Sequence, residues 1–150
     1  MITNGEPFLI EYNVRMGDPE CQTILPKLKT DFGEIIESCV DQKLNSINLD
    51  WSNKKSLCIV LCSKGYPDEY NGNIEIENLD KITLKNDEFI FHAGTKEVNS
   101  KIYSNGGRVL NFVVKSNEFK VCRNTIIKLI DEINWKNGFY RKDIGFRVIN

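Results

Sequence analysis

Histidine is nearly missing from this chain: one residue, His92, in 150. Triads and metal sites that need several imidazoles are therefore excluded. Long apolar runs are missing too, so no segment can cross a bilayer as a helix. Neither sign of charge is in excess, because twenty basic residues face twenty-one acidic ones for a net charge of −1. That balance argues against a nonspecific nucleic-acid binder, while leaving room for a local basic pocket. Residues 1–7 lack the basic and apolar regions of a signal peptide, and the expected compartment is the cytoplasm. The five cysteines, Cys21, Cys39, Cys58, Cys62 and Cys122, are odd in number and mostly flanked by apolar residues. In a reducing compartment they read as small buried hydrophobes. Cys58 and Cys62 share a strand face, but with one histidine and no second close pair a zinc site is not expected.

What is present is a globular composition, 41% hydrophobic and 27% charged, long enough for one domain with a real core. The most informative stretch runs from Phe8 to Glu20. Alternation over residues 8–14 predicts a strand, with Phe8, Ile10, Tyr12 and Val14 on one face and Leu9, Glu11, Asn13 and Arg15 on the other. A carboxylate, an amide and a guanidinium in one row are costly to bury unpaired, which a metal ion with a phosphate would offset. Asp18-Pro19-Glu20 predicts a helix start, with Asp18 as cap and Pro19 at the first position. Pro26 keeps that helix short. Asp31 with Glu34 predicts a second helix, and Phe32, Ile35, Ile36, Cys39, Val40 and Leu44 form its core-type stripe.

From residue 54 the pattern turns to β. Residues 57–62 form a continuous apolar run before Lys64-Gly65-Tyr66-Pro67. Ile74 and Ile76 alternate with polar neighbours, and residues 89–92 predict another strand closed by Gly94. Residues 101–104 and 108–114, joined by Asn105-Gly106-Gly107, predict strand, turn, strand. Ser116 or Asn117 is placed to cap a long helix with Val121, Cys122, Ile126, Leu129, Ile130 and Ile133 on its apolar side, ending near Asn137-Gly138. Residues 145–149 predict a last short strand. The division expected is residues 1–50, with one strand and two helices, and residues 51–150, β-rich with one long helix. A lone strand cannot satisfy its own backbone, so residues 8–14 must pair elsewhere.

Glu11-x-Asn13-x-Arg15-x-Gly17-Asp18-Pro19-Glu20 closely resembles the signature of the phosphoribosylamine–glycine ligase family. Ser63-Lys64-Gly65-Tyr66-Pro67, His92-Ala93-Gly94-Thr95, Asn105-Gly106-Gly107-Arg108-Val109-Leu110 and Tyr140-Arg141-Lys142-Asp143-Ile144-Gly145 look like further landmarks of that family, in its order. Met16 stands where the family more often has Phe or Leu. The resemblance covers only the family's C-terminal third. It implies an α+β fold: the end of an ATP-grasp domain (residues 1–50), then a small β-rich C-terminal domain of barrel or sandwich-hybrid kind with one long helix (residues 51–150). It implies ligation of glycine to 5-phosphoribosylamine with ATP as co-substrate, in purine biosynthesis. Glu11 and Asn13 would be ligands of Mg2+ or Mn2+, and Arg15 the catalytic and anion-binding group. Gly17, Asp18, Pro19, Gly106, Gly107 and Arg108 would be substrate contacts. It also implies that an N-terminal part of the same enzyme is missing, that this piece is inactive alone, and that its uncovered apolar surface favours self-association.

The residues themselves leave alternatives open. Asp18 serves equally well as a plain helix cap, and Glu11 as a carboxylate paired with Arg15. Asn105-Gly106-Gly107 is by pattern a hairpin turn. Tyr140-Arg141-Lys142-Asp143 reads as a solvated ion-pair loop, and His92 as a hydrogen-bonding structural residue. The competing function is a noncatalytic module for a phosphorylated ligand or a partner chain.

Overall fold

A computed structural model of the chain describes residues 1–149. Its centre is a four-stranded antiparallel sheet. Strands β3 (Lys55–Ser63), β4 (Glu88–His92), β7 (Arg108–Ser116) and β8 (Gly138–Phe139) lie in the order β4-β7-β3-β8. Before them come a minimal hairpin, β1 (Ile2–Thr3) with β2 (Glu6–Pro7), and the helices α1 (Glu20–Ile24) and α2 (Phe32–Val40). A second hairpin joins β5 (Thr95–Val98) to β6 (Lys101–Ser104), and α3 (Phe119–Glu132) and the turn-length α4 (Phe146–Ile149) complete the chain. This is an α+β fold with several small sheets and one long helix.

The core follows from strand alternation. Leu57, Ile59 and Leu61 on β3, with Leu110, Phe112 and Val114 on β7, make one sheet face, and α3 sets Cys122, Ile126, Leu129 and Ile130 on it. Trp135 and Ile76 close its margins. The opposite face carries Cys58, Val60 and Cys62, opposed by Val113 and Asn111, with Phe89 and Phe91 beyond on β4. Here the chain lays α1 and the 3-10 turn Leu25–Lys27, which Lys115 holds by donating from Nζ to the Pro26 carbonyl at 2.7 Å. Pro26 ends α1 at Ile24, as its missing N–H requires.

Several expectations are corrected. Residues 8–14 form no strand: among the described residues they pair with no sheet edge, and Phe8, Ile10, Tyr12 and Val14 are exposed. The α2 stripe is not core: Asp31 caps the helix through bonds to the Gly33 and Glu34 N–H groups, as expected, but Phe32, Ile36 and Val40 face outward and Cys39 is exposed. Asp18 does not cap α1; Pro19 holds that position without a side-chain cap bond. Neither Ser116 nor Asn117 caps α3, since β7 runs through Ser116 and the cap position falls on Glu118. α3 stops at Glu132, freeing Gly138–Phe139 to extend the sheet beside β3. Val121 points away from the core and is exposed. The closing strand over 145–149 is instead the helical turn α4.

The 101–114 segment is not a hairpin either. β6 pairs with β5 across Asn99 and Ser100, both at positive φ as a two-residue hairpin loop demands. β7 pairs with β3 and β4. Asn105-Gly106-Gly107 is thus a crossing between two sheets. No helix among the described residues is long and apolar enough to cross a membrane.

Candidate functional site

Arg108 begins β7, and one irregularity decides where it points. The β3–β7 register pairs Leu61 with Leu110 but Cys62 with Arg108, so Val109 is an extra residue, a β-bulge. In unbroken alternation Arg108 would follow Leu110 and Phe112 onto the α3 face and into the core. The bulge moves it to the other face, beside Cys62 and the N-terminal segment. There its guanidinium donates from Nη1 to the Asp18 backbone carbonyl at 3.1 Å and pairs through Nη2 with the Asp18 carboxylate at 3.2 Å. Its charge also opposes the upward push that burial gives the Cys62 thiol.

Asp18 is therefore a junction. Its Oδ1 accepts from Gln22 Nε2 at 2.9 Å, one helical turn on. The peptide bond to Pro19 is cis. Glu20 folds back over Gly17 so closely that a Cβ there would lie 1.9 Å from its Oε2. The result is a cleft of about 740 Å³ lined by Asn13, Arg15, Gly17, Asp18, Glu20 and Arg108, together with Met16. Two sequence landmarks ninety residues apart thus share one cavity. Arg15 donates from Nη1 to the Met16 carbonyl at 3.1 Å. Asn13 Nδ2 donates to Glu11 Oε1 at 3.1 Å, which leaves the Asn13 amide oxygen and the second Glu11 oxygen outside that bond.

Gly106 and Gly107 stand behind this cleft. Neither has positive φ; their smallness serves close packing. A Cβ on Gly107 would lie 2.1 Å from the Tyr66 ring, and one on Gly106 3.1 Å from the Gly94 Cα. Ser63, fully buried, anchors the crossing: its Oγ donates to the Gly106 carbonyl at 2.8 Å and its N–H to the Gly107 carbonyl at 2.8 Å. The sequence landmarks around Ser63, Tyr66, Gly94 and Gly106 are therefore one packed knot supporting Arg108.

A second, more apolar cavity of about 570 Å³ shares Met16, Gly17 and Asp18 with the first and continues over Leu25, Pro26, Phe89 and Phe91. His92, at its rim, makes a 2.9 Å hydrogen bond between Nδ1 and Thr95 Oγ1. Arg141 forms a two-bond ion pair with Asp143 at 2.6 and 3.0 Å on the surface. Burial pushes the Cys58 thiol up to about 12.

Among the described residues no group of three or more His, Cys, Asp and Glu side chains could hold a metal ion. Glu11 and Asn13 still suit a hard cation as a partial donor set, two oxygens within one exposed segment, because Mg2+ keeps several waters and takes the rest of its shell from phosphates. In the sequence Glu20 reads only as part of a helix start and of the signature, Met16 only as a departure from the family pattern, and Gln22 is not singled out; the four-residue spacing of Asp18 and Gln22 is the signal available for it.

The phosphoribosylamine–glycine ligase of Fusobacterium nucleatum is 44% identical over 146 residues, covering 97% of this chain and 34% of that protein. A bifunctional purine biosynthetic protein of Dictyostelium discoideum is 41% identical over 143 residues, covering 95% of this chain and 18% of that protein. The crystal structure of a phosphoribosylamine–glycine ligase from Thermotoga maritima superposes with a TM-score of 0.68 at 30% identity, covering 97% of this chain and 35% of that one. The chain thus spans about a third of the length of the ligases it matches. Residues 56–147 match the family described as phosphoribosylglycinamide synthetase, C domain, and the chain belongs to that family.

Proposed function

We propose that this chain supplies the C-terminal part of an ATP-grasp carbon–nitrogen ligase that joins glycine to 5-phosphoribosylamine. The observation that carries the reading is the shared cleft: Arg15 and Arg108, from two separate landmarks of the sequence pattern, reach one cavity with Asn13, Asp18 and Glu20. With Arg108 tied to Asp18, the Arg15 guanidinium is the group suited to an anion that must be positioned and then released.

The chemistry proceeds in two balanced steps. A glycine carboxylate oxygen attacks the γ-phosphorus of ATP, and ADP leaves, giving glycyl phosphate. The amine of phosphoribosylamine then attacks the acyl carbon; phosphate departs and the amine loses a proton, leaving an amide. Protein groups mainly position the reactants and neutralise developing charge. Glu11 and Asn13 would hold Mg2+ or Mn2+, which, when bound, neutralises phosphate charge. Arg15 would bind a phosphate or acyl-phosphate oxygen with its forked donors. Arg108 holds Asp18, and so fixes the turn over Gly17, Asp18 and Pro19 against the substrate. Gly106 and Gly107 act through the packing that sets Arg108. Residues 1–50 are assigned to the ATP-grasp part and residues 51–150 to the C-terminal domain.

The test is a chimera in which this chain replaces the matching third of the Fusobacterium nucleatum ligase. Glycine- and phosphoribosylamine-dependent release of ADP is expected from the chimera and not from the 150-residue chain alone. Arg15→Ala should lower turnover by about 100-fold or more. Full output from a chimera carrying both Glu11→Ala and Asn13→Ala would end this reading.

A further inference from the structure

The second cavity has two walls. Leu25 and Pro26, from the turn after α1, form one, and Phe89 and Phe91, on β4, form the other; at Met16, Gly17 and Asp18 it opens into the cleft. Lys115, near the end of β7, touches both walls. Its Nζ donates to the Pro26 carbonyl at 2.7 Å and stands 5.3 Å from the centre of the Phe89 ring, over its face. That carbonyl lies in the last turn of its segment, where helical N–H partners run out. Only 14% of the Lys115 side chain is exposed, and its counter-ion Asp87, 3.5 Å away, is shared with Lys54. A cation so enclosed keeps its place, because moving it would forfeit all three contacts together.

The wall carrying Pro26 has little else to hold it to the sheet. α1 and the turn after it bury no residue. Ser56 Oγ and the Asn111 amide, on the facing strands, and Gln22 Oε1, on α1, are buried without a protein partner, so hydrogen bonds do not knit the layer between them. Among the described residues, two side-chain hydrogen bonds run from the sheet to residues 17–27: Arg108 to the Asp18 carbonyl, and Lys115 to the Pro26 carbonyl. Both donors stand on β7, near its opposite ends.

We infer that Lys115 is a positioning residue for the cleft: its ammonium sets the spacing of the cavity walls and, through residues 19–26, the placement of the Gly17–Asp18 turn against substrate. The inference deepens the ligase reading above and rests on it for the substrate. Arg108 fixes the turn at its near end, and Lys115 fixes the piece behind it. α1 runs without a break into the turn that carries Pro26, and the Cys21 N–H donates back to the Gly17 carbonyl at 2.9 Å. A shift at Pro26 is therefore carried to Gly17 rather than absorbed between them.

Hydrogen exchange on the 150-residue chain reads the clamp, and kinetics of the chimera read its consequence. Lys115→Met keeps the apolar stem against Phe89 but donates nothing to the carbonyl. In it, the amides of residues 21–25 should exchange about 10-fold faster, while those of Ile59 and Phe112 keep their rates. Lys115→Arg, which retains a donor and a charge, should exchange like the parent. Lys115→Gln, too short to reach the carbonyl, is the second variant and should follow Lys115→Met. In the chimera, Lys115→Met should raise KM about 10-fold for glycine or for phosphoribosylamine and leave KM for ATP unchanged. A mere loss of folded protein would lower kcat and move no KM. Lys115→Arg should restore the parent values. Unchanged exchange at residues 21–25 would overturn the inference, as would equal acceleration in the core or equal effects of Met and Arg. Faster exchange with the KM values for glycine and phosphoribosylamine intact would also overturn it. A parent chimera without turnover would sink the ligase reading alone, because the exchange measurement needs no catalysis.

Discussion

The first fifty residues and the last hundred solve the folding problem in opposite ways. Every buried hydrophobic side chain described lies between Leu57 and Trp135, while residues 1–50 bury none. Both regions have comparable amphipathic patterns: α2 and α3 each carry a clear apolar stripe. α3 finds the β3–β7 face beneath it and buries Cys122, Ile126 and Leu129; α2 finds nothing. The difference teaches that periodicity specifies what an element can bury, not whether a surface exists to bury it against. The site sits on the seam. Its acidic, amide and arginine groups come from the loosely packed region, and its anchor, Arg108, from the tightly packed one.

The sharpest way to break this contrast is to delete equal bulk on each side. Phe112→Ala removes a fully buried ring and should destabilise the chain by about 3–5 kcal/mol. Phe32→Ala, on the outward face of α2, should change stability by less than about 1 kcal/mol. Urea unfolding of the isolated chain measures both, and similar losses would show that α2 is packed after all.

Next comes the knot behind the site. A Cβ on Gly94 would lie 2.6 Å from the Arg108 carbonyl oxygen and 2.8 Å from the Gly106 Cα. Both are backbone atoms with little room to give, so Gly94→Ala should cost about 1–3 kcal/mol. It should also loosen Arg108, read as faster hydrogen exchange at Asp18 and Glu20. A smaller effect is expected at the seam. The Arg108–Asp18 ion pair is roughly two-fifths exposed on each side, so solvent screening limits Asp18→Asn to about 0.2–1 kcal/mol of stability. Its larger consequence should be lost turnover in the chimera.

Acid titration probes the core side of the seam. A hydrogen bond from Lys54, followed by the charges of Lys54 and Lys115, holds the Asp87 carboxyl below its ordinary value of 3.8. A depressed folded value means that its contribution is fully present above the unfolded value. It is lost as pH falls from about 4 through the folded value. Asp87→Asn should therefore be less stable than the parent at pH 7 and converge with it in acid, measured by melting temperature against pH. The smallest effect is purely chemical. Cys39, exposed on α2, should react with iodoacetamide at pH 8 well before Cys58, whose thiol burial pushes to about 12. Equal labelling rates would erase the contrast between the regions.

Much of the layout was legible in the residues. The apolar run around Ile59 had to be a buried strand, Pro26 had to end α1, and Asp31 had to cap α2. The landmarks carrying Arg15, Asp18 and Arg108 line one cleft, a meeting that no single stretch of sequence shows. The misreadings share a cause. Asn105-Gly106-Gly107 looks locally like a hairpin, but β6 and β7 prefer partners distant in sequence. Residues 8–14 look like a strand, but a strand is a property of two segments, and no described segment pairs with this one.

Local chemistry, then, is what the sequence by itself determined: which segments favour strand or helix, that Asp31 caps α2 and that Pro26 breaks α1. Only the tertiary structure decided that Val109 is a bulge and that Arg108 consequently leaves the core face to hold Asp18. The reason is physical. Pairing register depends on how two strands and the layers on both faces pack at once, and a shift of one residue, invisible in either strand alone, reverses the side on which a charge emerges.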